Sequence, residues 1–130
     1  MEKKPIKPSV IVVDDDSMMR EMLKLILRSA DYRVLGEAPS GKNGIALCAS
    51  QKPDFALLDI NMPEIDGFQA LEEFHKVSPN TMVIMISAEA TMDRVNEAIK
   101  RGAAGFVVKP LNAAKVISKI ESCLKKKNER

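Results

Sequence analysis

Apolar residues follow two alternating patterns along this chain. Four short apolar runs, at residues 10–13, 55–58, 82–86 and 105–108, have the length and composition of buried strands, and residues 33–37 form a short segment of mixed apolar and polar residues. After each of these five segments, apolar residues recur every three or four positions, which is the period of a helix packed on one side. Five strand–helix pairs in this order predict an α/β fold with a parallel sheet and helices on both faces.

Capping and helix-breaking residues set the limits of the predicted helices. The first begins at residue 17 or 18, where Asp16 or Ser17 can cap it, and ends at residue 29. The second opens at residues 40–44 and closes at the Lys-Pro pair at 52–53, and the third lies between the Asp-Gly pair at 66–67 and residue 78. The fourth covers residues 92–101, with Val95, Ala98 and Ile99 facing the core, and the last covers residues 112 to about 126.

The composition is that of one small domain. The chain has 130 residues, of which 45% are hydrophobic, and a domain of this size buries roughly two thirds of its unfolded surface. We expect a disordered lead-in at residues 1–8, a folded domain at 9–126 and a polar tail at 127–130. The formal net charge is only +2, so bulk charge gives no reason to expect binding to nucleic acid or to an anionic membrane.

The sequence lacks the features expected of a membrane protein, a secreted protein or a zinc-binding protein. No apolar stretch is long enough to span a membrane and no secretory signal precedes the first strand, so we expect a cytoplasmic protein without membrane insertion. Cys48 and Cys123 lie far apart, and His75 is the only histidine, which argues against a zinc site. Both cysteines fall in apolar helical patterns, where a cysteine is usually a small buried hydrophobe.

Polar side chains follow four of the predicted strands at the point where each strand ends. Three acids, at residues 14–16, follow the first strand, Asp59 ends the third, Ser87 follows the fourth and Lys109 follows the fifth. The carboxyl ends of parallel strands meet at one edge of a sheet, which is where open α/β folds bind ligands. Clustered carboxylates tend to be held apart, protonated or bridged by a cation, and Mg²⁺ binds through carboxylates together with phosphate oxygens. Lys109 could pair with a carboxylate and then with a phosphoryl oxygen, whereas Ser87 could bind a phosphoryl oxygen or cap the next helix.

Four motifs follow one another along the chain: VVDDDSMMR at residues 12–20, LDINMPEIDG at 58–67, ISA at 86–88 and VKP at 108–110. Together, and in this order, they resemble the receiver domain of two-component response regulators, and chemotaxis-type regulators most closely. The resemblance extends over about residues 9–124. The family implies a flavodoxin-like (βα)5 fold, which is a doubly wound, five-stranded parallel sheet of order 2-1-3-4-5.

The resemblance also implies a role for each candidate site residue. Asp59 would accept a phosphoryl group from a sensor histidine kinase, and Ser87 and Lys109 would contact its oxygens. Mg²⁺, for which we expect Mn²⁺ to substitute, would be held by Asp15, Asp59 and the main-chain carbonyl of Asn61, with Asp14 holding a metal-bound water. In the triple acid we favour Asp14 and Asp15 as the functional pair over Asp15 and Asp16, because they directly follow the apolar strand.

Two further pairs of residues match regulatory positions of the family. Ser87 and Phe106 would form the switch that changes the face made by the fourth helix, the fifth strand and the fifth helix. Asn61 and Glu89 would tune the loss of the phosphoryl group, and their identities imply a short lifetime. Such a protein is no ordinary enzyme, since it catalyses only its own phosphorylation and dephosphorylation.

The sequence leaves the output partner open. It could be a flagellar motor switch, a relay protein or another effector, bound by a monomer or a transient dimer. Because the sequence ends just after the fifth helix, we expect either a stand-alone regulator or the receiver of a longer protein.

Two other functions remain as alternatives. One is a pseudo-receiver that only binds partners. The other is an aspartate-nucleophile, Mg²⁺-dependent phosphatase, which needs an acid two residues after the nucleophile, where this chain has Asn61. The sequence contains no G-x-x-x-x-G-K-[ST] loop, which argues against a GTPase.

Overall fold

Five parallel strands form one sheet of order β2-β1-β3-β4-β5. The structure, a computed structural model, describes residues 7–62, 65–89 and 91–128. The strands are β1 (Ser9–Val13), β2 (Arg33–Ala38), β3 (Phe55–Asp59), β4 (Met82–Ser87) and β5 (Gly105–Val108). The predicted fold class and strand order are therefore confirmed.

Each strand is followed by a helix, as the apolar periodicity predicts. The helices are α1 (Ser17–Ser29), α2 (Gly41–Gln51), α3 (Gly67–Val77), α4 (Met92–Lys100) and α5 (Ala113–Asn128). The Asp16 side chain accepts hydrogen bonds at the start of α1 from the N–H groups of Met18 and Met19, so Asp16 is the cap. Gly102 ends the α4 segment with a φ of 101°, a conformation that glycine adopts without strain.

The sheet separates two apolar clusters because side chains alternate between its faces. Ile11, Val13, Leu58 and Met85 contribute to the cluster under α2, α3 and α4. On the other face, under α1 and α5, the cluster contains Val10, Val12, Leu57, Ile86 and Ile120. Every residue of β1 and β3 is buried, as expected for central strands covered on both faces.

Both cysteines lie in the core, but Ile99 does not. Cys48 and Cys123 are buried and unpaired, which confirms their interpretation as small core residues. The inward orientation expected for Ile99 is wrong, because this side chain is 51% exposed. The fourth helix packs at the margin of the sheet beside β5, so its inward stripe is narrow: Ala98 is fully buried, Val95 is half-buried, and Ile99 falls on the flank.

The described residues reach slightly beyond residues 9–126 at both ends. Residues 1–6 of the expected lead-in and residues 129–130 of the expected tail lie outside the described residues. The main-chain oxygen of Pro8 accepts a hydrogen bond from the Arg33 N–H, so the residue just before β1 already lies beside the start of β2. The last helix continues to Asn128, slightly beyond the predicted end. Among the described residues, no helix has the length and apolar character needed to cross a bilayer.

A glycine contact fixes the loop that follows the third strand. A Cβ atom at Gly67 would lie 2.6 Å from the Ile60 Cα atom and 3.0 Å from the Ile60 main-chain oxygen. The start of α3 therefore packs directly against the backbone that follows Asp59. This close approach leaves room only for a glycine.

We expect Gly67→Ala to lower the free energy of unfolding by about 1–3 kcal/mol, since the added methyl group meets backbone that cannot rotate away. Urea denaturation of the two proteins measures the difference. The matched control is Gly36→Ala on β2, whose Cβ would meet only the side-chain tip of Leu47, at 3.2 Å. Equal losses in the two variants would contradict the role given to the Gly67 contact.

Candidate functional site

Strand pairing brings two acids together at the carboxyl edge of the sheet. Val13 pairs with Leu58, so Asp14 and Asp59 occupy the next positions of neighbouring strands. Both side chains are buried, with exposures of 1% for Asp14 and 3% for Asp59, whereas Asp15 is exposed. The three residues each place a carboxylate oxygen within 4.8 Å of the other two. The acids singled out in the sequence therefore form one cluster.

Local hydrogen bonds decide which of the three consecutive acids face that cluster. The Asp16 N–H donates to Asp14 Oδ1 over 2.9 Å, while the Asp16 carboxylate caps α1. Asp16 therefore serves the helix, and Asp14 and Asp15 face Asp59. Asp14 Oδ2 is buried and has no hydrogen-bond partner within residues 7–62, 65–89 and 91–128.

The environment of Asp14 disfavours its ionised form. The pKa of the Asp14 carboxyl is raised from 3.8 to about 6, mainly by burial and to a smaller extent by the negative charges of Asp59 and Asp15. The hydrogen bond from the Asp16 N–H and the charge of Lys109 act in the opposite direction but do not cancel the effect of burial. Asp14 is thus a site where added positive charge would be favourable.

Asp59 is held at both of its oxygens. Oδ1 accepts a hydrogen bond of 3.0 Å from the Asn61 N–H, and Oδ2 lies 3.6 Å from the Lys109 ammonium. The Lys109 N–H donates to the Ser87 main-chain oxygen over 2.8 Å, which fixes the lysine backbone beside β4, and the peptide bond to Pro110 is cis. These contacts orient the carboxylate and leave the lysine side chain about one quarter exposed.

The remaining candidates surround this centre at different depths. Ser87 is fully buried, and its Oγ accepts a hydrogen bond of 3.1 Å from the Glu89 N–H. The helix cap that Ser87 could have supplied to α4 comes instead from Thr91, which accepts from the Arg94 N–H. Glu89 and Asn61 are exposed at the rim.

Phe106 lies apart from the acid cluster. It is 9% exposed on β5, in the apolar cluster beneath α4. The structure thus places every predicted residue except Phe106 at the carboxyl edge.

Two arginines at the site were not identified from the sequence. Arg20 donates from Nη1 to the main-chain oxygen of Asp14 over 2.7 Å and from Nε to Glu37 over 2.7 Å, so it ties the first acidic loop to β2. Arg94, in the first turn of α4, donates to the Asn61 side-chain oxygen over 3.4 Å. Arg20 stands six residues after Asp14 on a helix facing β2, a spacing that could have suggested its role. No local pattern links residues 61 and 94.

The acid cluster has the donors that a divalent cation requires. Its atoms are carboxylate oxygens, which suit a hard ion such as Mg²⁺ or Ca²⁺ rather than a soft metal. A buried carboxylate oxygen without a partner, as at Asp14 Oδ2, costs free energy that a bound cation or its water would recover. The residues present therefore fit a divalent cation at this edge.

Comparison with known proteins agrees with this geometry. Residues 10–121 match the family described as the response regulator receiver domain. The chain belongs to this family. Receiver domains bind Mg²⁺ at an acidic pocket, and this chain has a cluster of three acids, Asp14, Asp15 and Asp59, at the carboxyl edge of its sheet.

Individual relatives point to CheY-like receivers. The chain is 40% identical to the chemotaxis protein CheY of Thermotoga maritima over 116 residues, covering 89% of this chain and 97% of that one. It is equally similar to CheY of Listeria monocytogenes, at 40% over 116 residues and 98% of that protein. Among solved structures, the CheX-CheY-BeF3-Mg+2 complex of Borrelia burgdorferi aligns with a TM-score of 0.86 and 31% identity, covering 89% of this chain and 88% of that one.

The raised pKa of Asp14 generates a prediction about metal-free stability. The folded state binds a proton on the Asp14 carboxyl more tightly than the unfolded state does. The stabilisation that comes from this protonation is fully present below pH 3.8 and is lost as the pH rises through about 6. At pH 7 we therefore expect Asp14→Asn to raise the free energy of unfolding by about 1–2 kcal/mol, and at pH 4 by much less. Urea denaturation in EDTA at both pH values measures this.

Asp16→Ala is the matched control for that variant. It removes a neighbouring carboxylate but also the helix cap, so it should lower stability by about 1 kcal/mol at pH 7. Wild-type or lower stability of Asp14→Asn at pH 7 would show that burial of this charge is not costly.

Proposed function

We propose that Asp59 accepts a phosphoryl group from the phosphohistidine of a sensor histidine kinase in a Mg²⁺-dependent reaction. One observation carries this proposal: a buried carboxylate is held between the Asn61 N–H and the Lys109 ammonium, beside two further acids. If Asp59 and Lys109 formed only a structural ion pair, Asp14 and Asp15 would weaken it by adding negative charge. A phosphoryl-acceptor site, in contrast, needs these additional acids to bind a cation.

The arrangement supports in-line transfer by positioning and charge. A carboxylate oxygen of Asp59 attacks the phosphorus, a P–O bond forms as the P–N bond of the donor breaks, and the histidine nitrogen leaves with the electron pair and takes up a proton. After the transfer, the Lys109 ammonium forms an ion pair with a phosphoryl oxygen instead of the Asp59 carboxylate. The buried Ser87 hydroxyl, which accepts a hydrogen bond from the Glu89 N–H, donates a hydrogen bond to another phosphoryl oxygen.

The cation would be held by residues that converge at the same edge. The proposed direct ligands are Asp15, Asp59 and the Asn61 main-chain carbonyl. Asp14 is proposed to accept a hydrogen bond from a metal-bound water. When bound, Mg²⁺ or Mn²⁺ neutralises negative charge on the carboxylates and on the phosphoryl oxygens. The orphan Asp14 Oδ2 supports this assignment, because an acceptor without a donor is suited to a water held by a cation.

The switch that we propose connects Ser87 to Phe106. The two residues lie on neighbouring strands, with Met85 paired to Phe106 and Ser87 paired to Val108. Attraction of the Ser87 hydroxyl to a phosphoryl oxygen would free space beside β5 into which the Phe106 ring can turn. The face made by α4, β5 and α5 would then change shape and bind its partner differently.

The wider assignment follows from the same proposal. Residues 9–126 would act as the receiver unit, in the cytoplasm, as a monomer or transient dimer. It would catalyse only its own phosphorylation and dephosphorylation, with Asn61 and Glu89 setting the lifetime. The output partner is a protein that distinguishes the phosphorylated face. A flagellar motor switch or a relay protein would fit that description.

We expect one phosphoryl adduct on the wild-type protein after incubation with phosphoramidate and Mg²⁺, and none on Asp59→Asn or in EDTA. Asp15→Ala should slow labelling at least tenfold, because a direct metal ligand is lost, whereas Asp16→Ala should be labelled at about the wild-type rate. Intact-mass spectrometry reads the adduct. Labelling of Asp59→Asn would overturn the choice of acceptor, and slow labelling of Asp16→Ala alone would shift the acid pair by one residue.

The switch predicts a response that is separate from adduct formation. Beryllofluoride, standing in for the phosphoryl group on Asp59, should move the amide resonances of Phe106 and of residues 92–100. Ser87→Ala should still bind the adduct but show a smaller response on that face, because the hydroxyl that is drawn inward is missing. Ser50→Ala, an exposed serine on α2, is the control and should respond as the wild type does. Saturated binding without shifts on that face would remove the switch but not the acceptor.

A further inference from the structure

The Arg94 side chain joins the first turn of α4 to the loop that follows Asp59. Its Nη2 atom lies 3.4 Å from the side-chain oxygen of Asn61. The guanidinium also stands over the Phe68 ring, with its carbon atom 6.0 Å from the ring centre, so α3 supports it from a second side. The Asn61 N–H in turn donates to Asp59 Oδ1 over 3.0 Å. One residue therefore separates Arg94 from the proposed phosphoacceptor.

The chemistry of arginine fixes which end of the Asn61 carboxamide faces α4. A guanidinium has only donors, so the group that meets it must be the amide oxygen and not the NH₂ group. The two N–H donors of the carboxamide are then directed away from Arg94. As long as this contact persists, the Asn61 oxygen is held toward α4 with one of its two lone pairs engaged, and the NH₂ group is the part of the carboxamide that faces the other way.

This orientation bears on hydrolysis of the aspartyl phosphate. In that reaction the oxygen of a water attacks the phosphorus, the bond between phosphorus and the Asp59 oxygen breaks, and the carboxylate leaves with the electron pair. The water releases its proton to solvent. A neighbouring amide oxygen that accepts a hydrogen bond from the water would turn the water's lone pair toward the phosphorus, which an NH₂ group cannot do.

We propose that Arg94 is a positioning residue that lengthens the lifetime of the aspartyl phosphate, because it engages the side-chain oxygen of Asn61, holds it toward α4 and so draws it away from the attacking water. The proposal rests on the function proposed for Asp59. It adds a residue on α4 to the positions, Asn61 and Glu89, that set the lifetime.

The test measures loss of the phosphoryl group after the phosphoramidate has been removed, with Mg²⁺ present. Arg94→Met keeps the length and much of the apolar contact of the side chain but removes the donors, and Arg94→Ala is a second variant should the first pack badly. We expect dephosphorylation to be about three- to fivefold faster in both, the effect of one long hydrogen bond on a barrier. Intact-mass spectrometry over time gives the rates.

Arg101 supplies the matched control. Its guanidinium also stands over the Phe68 ring, 5.4 Å from the centre, but pairs with Glu72 and Glu97 and not with Asn61. Arg101→Met should therefore leave the lifetime unchanged. A second comparison uses Asn61→Ala: in that background Arg94→Met should have no further effect, because the oxygen that it releases is absent.

The outcomes separate this proposal from the one on which it rests. If every protein takes up one phosphoryl group but Arg94→Met and Arg94→Ala lose it at the wild-type rate or more slowly, the role of Arg94 is overturned and the role of Asp59 stands. A faster rate that persists in the Asn61→Ala background, or that Arg101→Met reproduces, would show a general packing effect and overturn it equally. If the wild type takes up no phosphoryl group, both proposals fall.

Discussion

Burial of two like-charged carboxylates, Asp14 and Asp59, is the constraint on which the rest of the site depends. Parallel pairing of β1 with β3 places them side by side at the end of the two central strands, where little water reaches them. Each is held by a main-chain N–H two residues further along, and Lys109 supplies the nearest cation to Asp59. These partners compensate the burial only in part, as the raised pKa of Asp14 shows.

Without a bound cation, the buried acids destabilise the protein, and packing in the rest of the fold offsets this destabilisation. Two apolar clusters, one on each face of the sheet, anchor β1 and β3 completely, so their carboxyl ends cannot separate to relieve the repulsion. Close contact of Gly67 with Ile60 restricts the loop after Asp59 in the same way. A rigid site with excess negative charge favours the binding of a positive charge. Stability in the absence of ligand and readiness to bind one are therefore opposed at this edge.

Most of the fold was predictable from sequence because its signals are local. Apolar runs and helical periodicity set the elements, and the acid that follows Val13 and the one that ends β3 marked the functional edge. Strand order was different, since it came from resemblance to a family and not from periodicity. The failures have a common cause in contacts that local patterns do not encode. Ile99 fits the inward stripe of a helix, but the width of that stripe depends on how far the sheet extends beneath α4, and Arg94 meets Asn61 only through the tertiary fold.

The contact between Arg94 and Asn61 also changes how α4 relates to the site. This helix lies at the margin of the sheet, where it buries Ala98 fully and little else, so its packing resists displacement less than that of the other helices. A shift of α4 would carry Arg94 away from the Asn61 oxygen, whereas Lys109, fixed to β4 through its backbone, would stay in place. The helix that we propose to change shape in the phosphorylated protein is therefore attached to a residue that we propose to control hydrolysis. A partner that holds α4 in place would preserve the adduct, and one that displaces it would shorten its life, so reading the signal and erasing it would depend on the same helix.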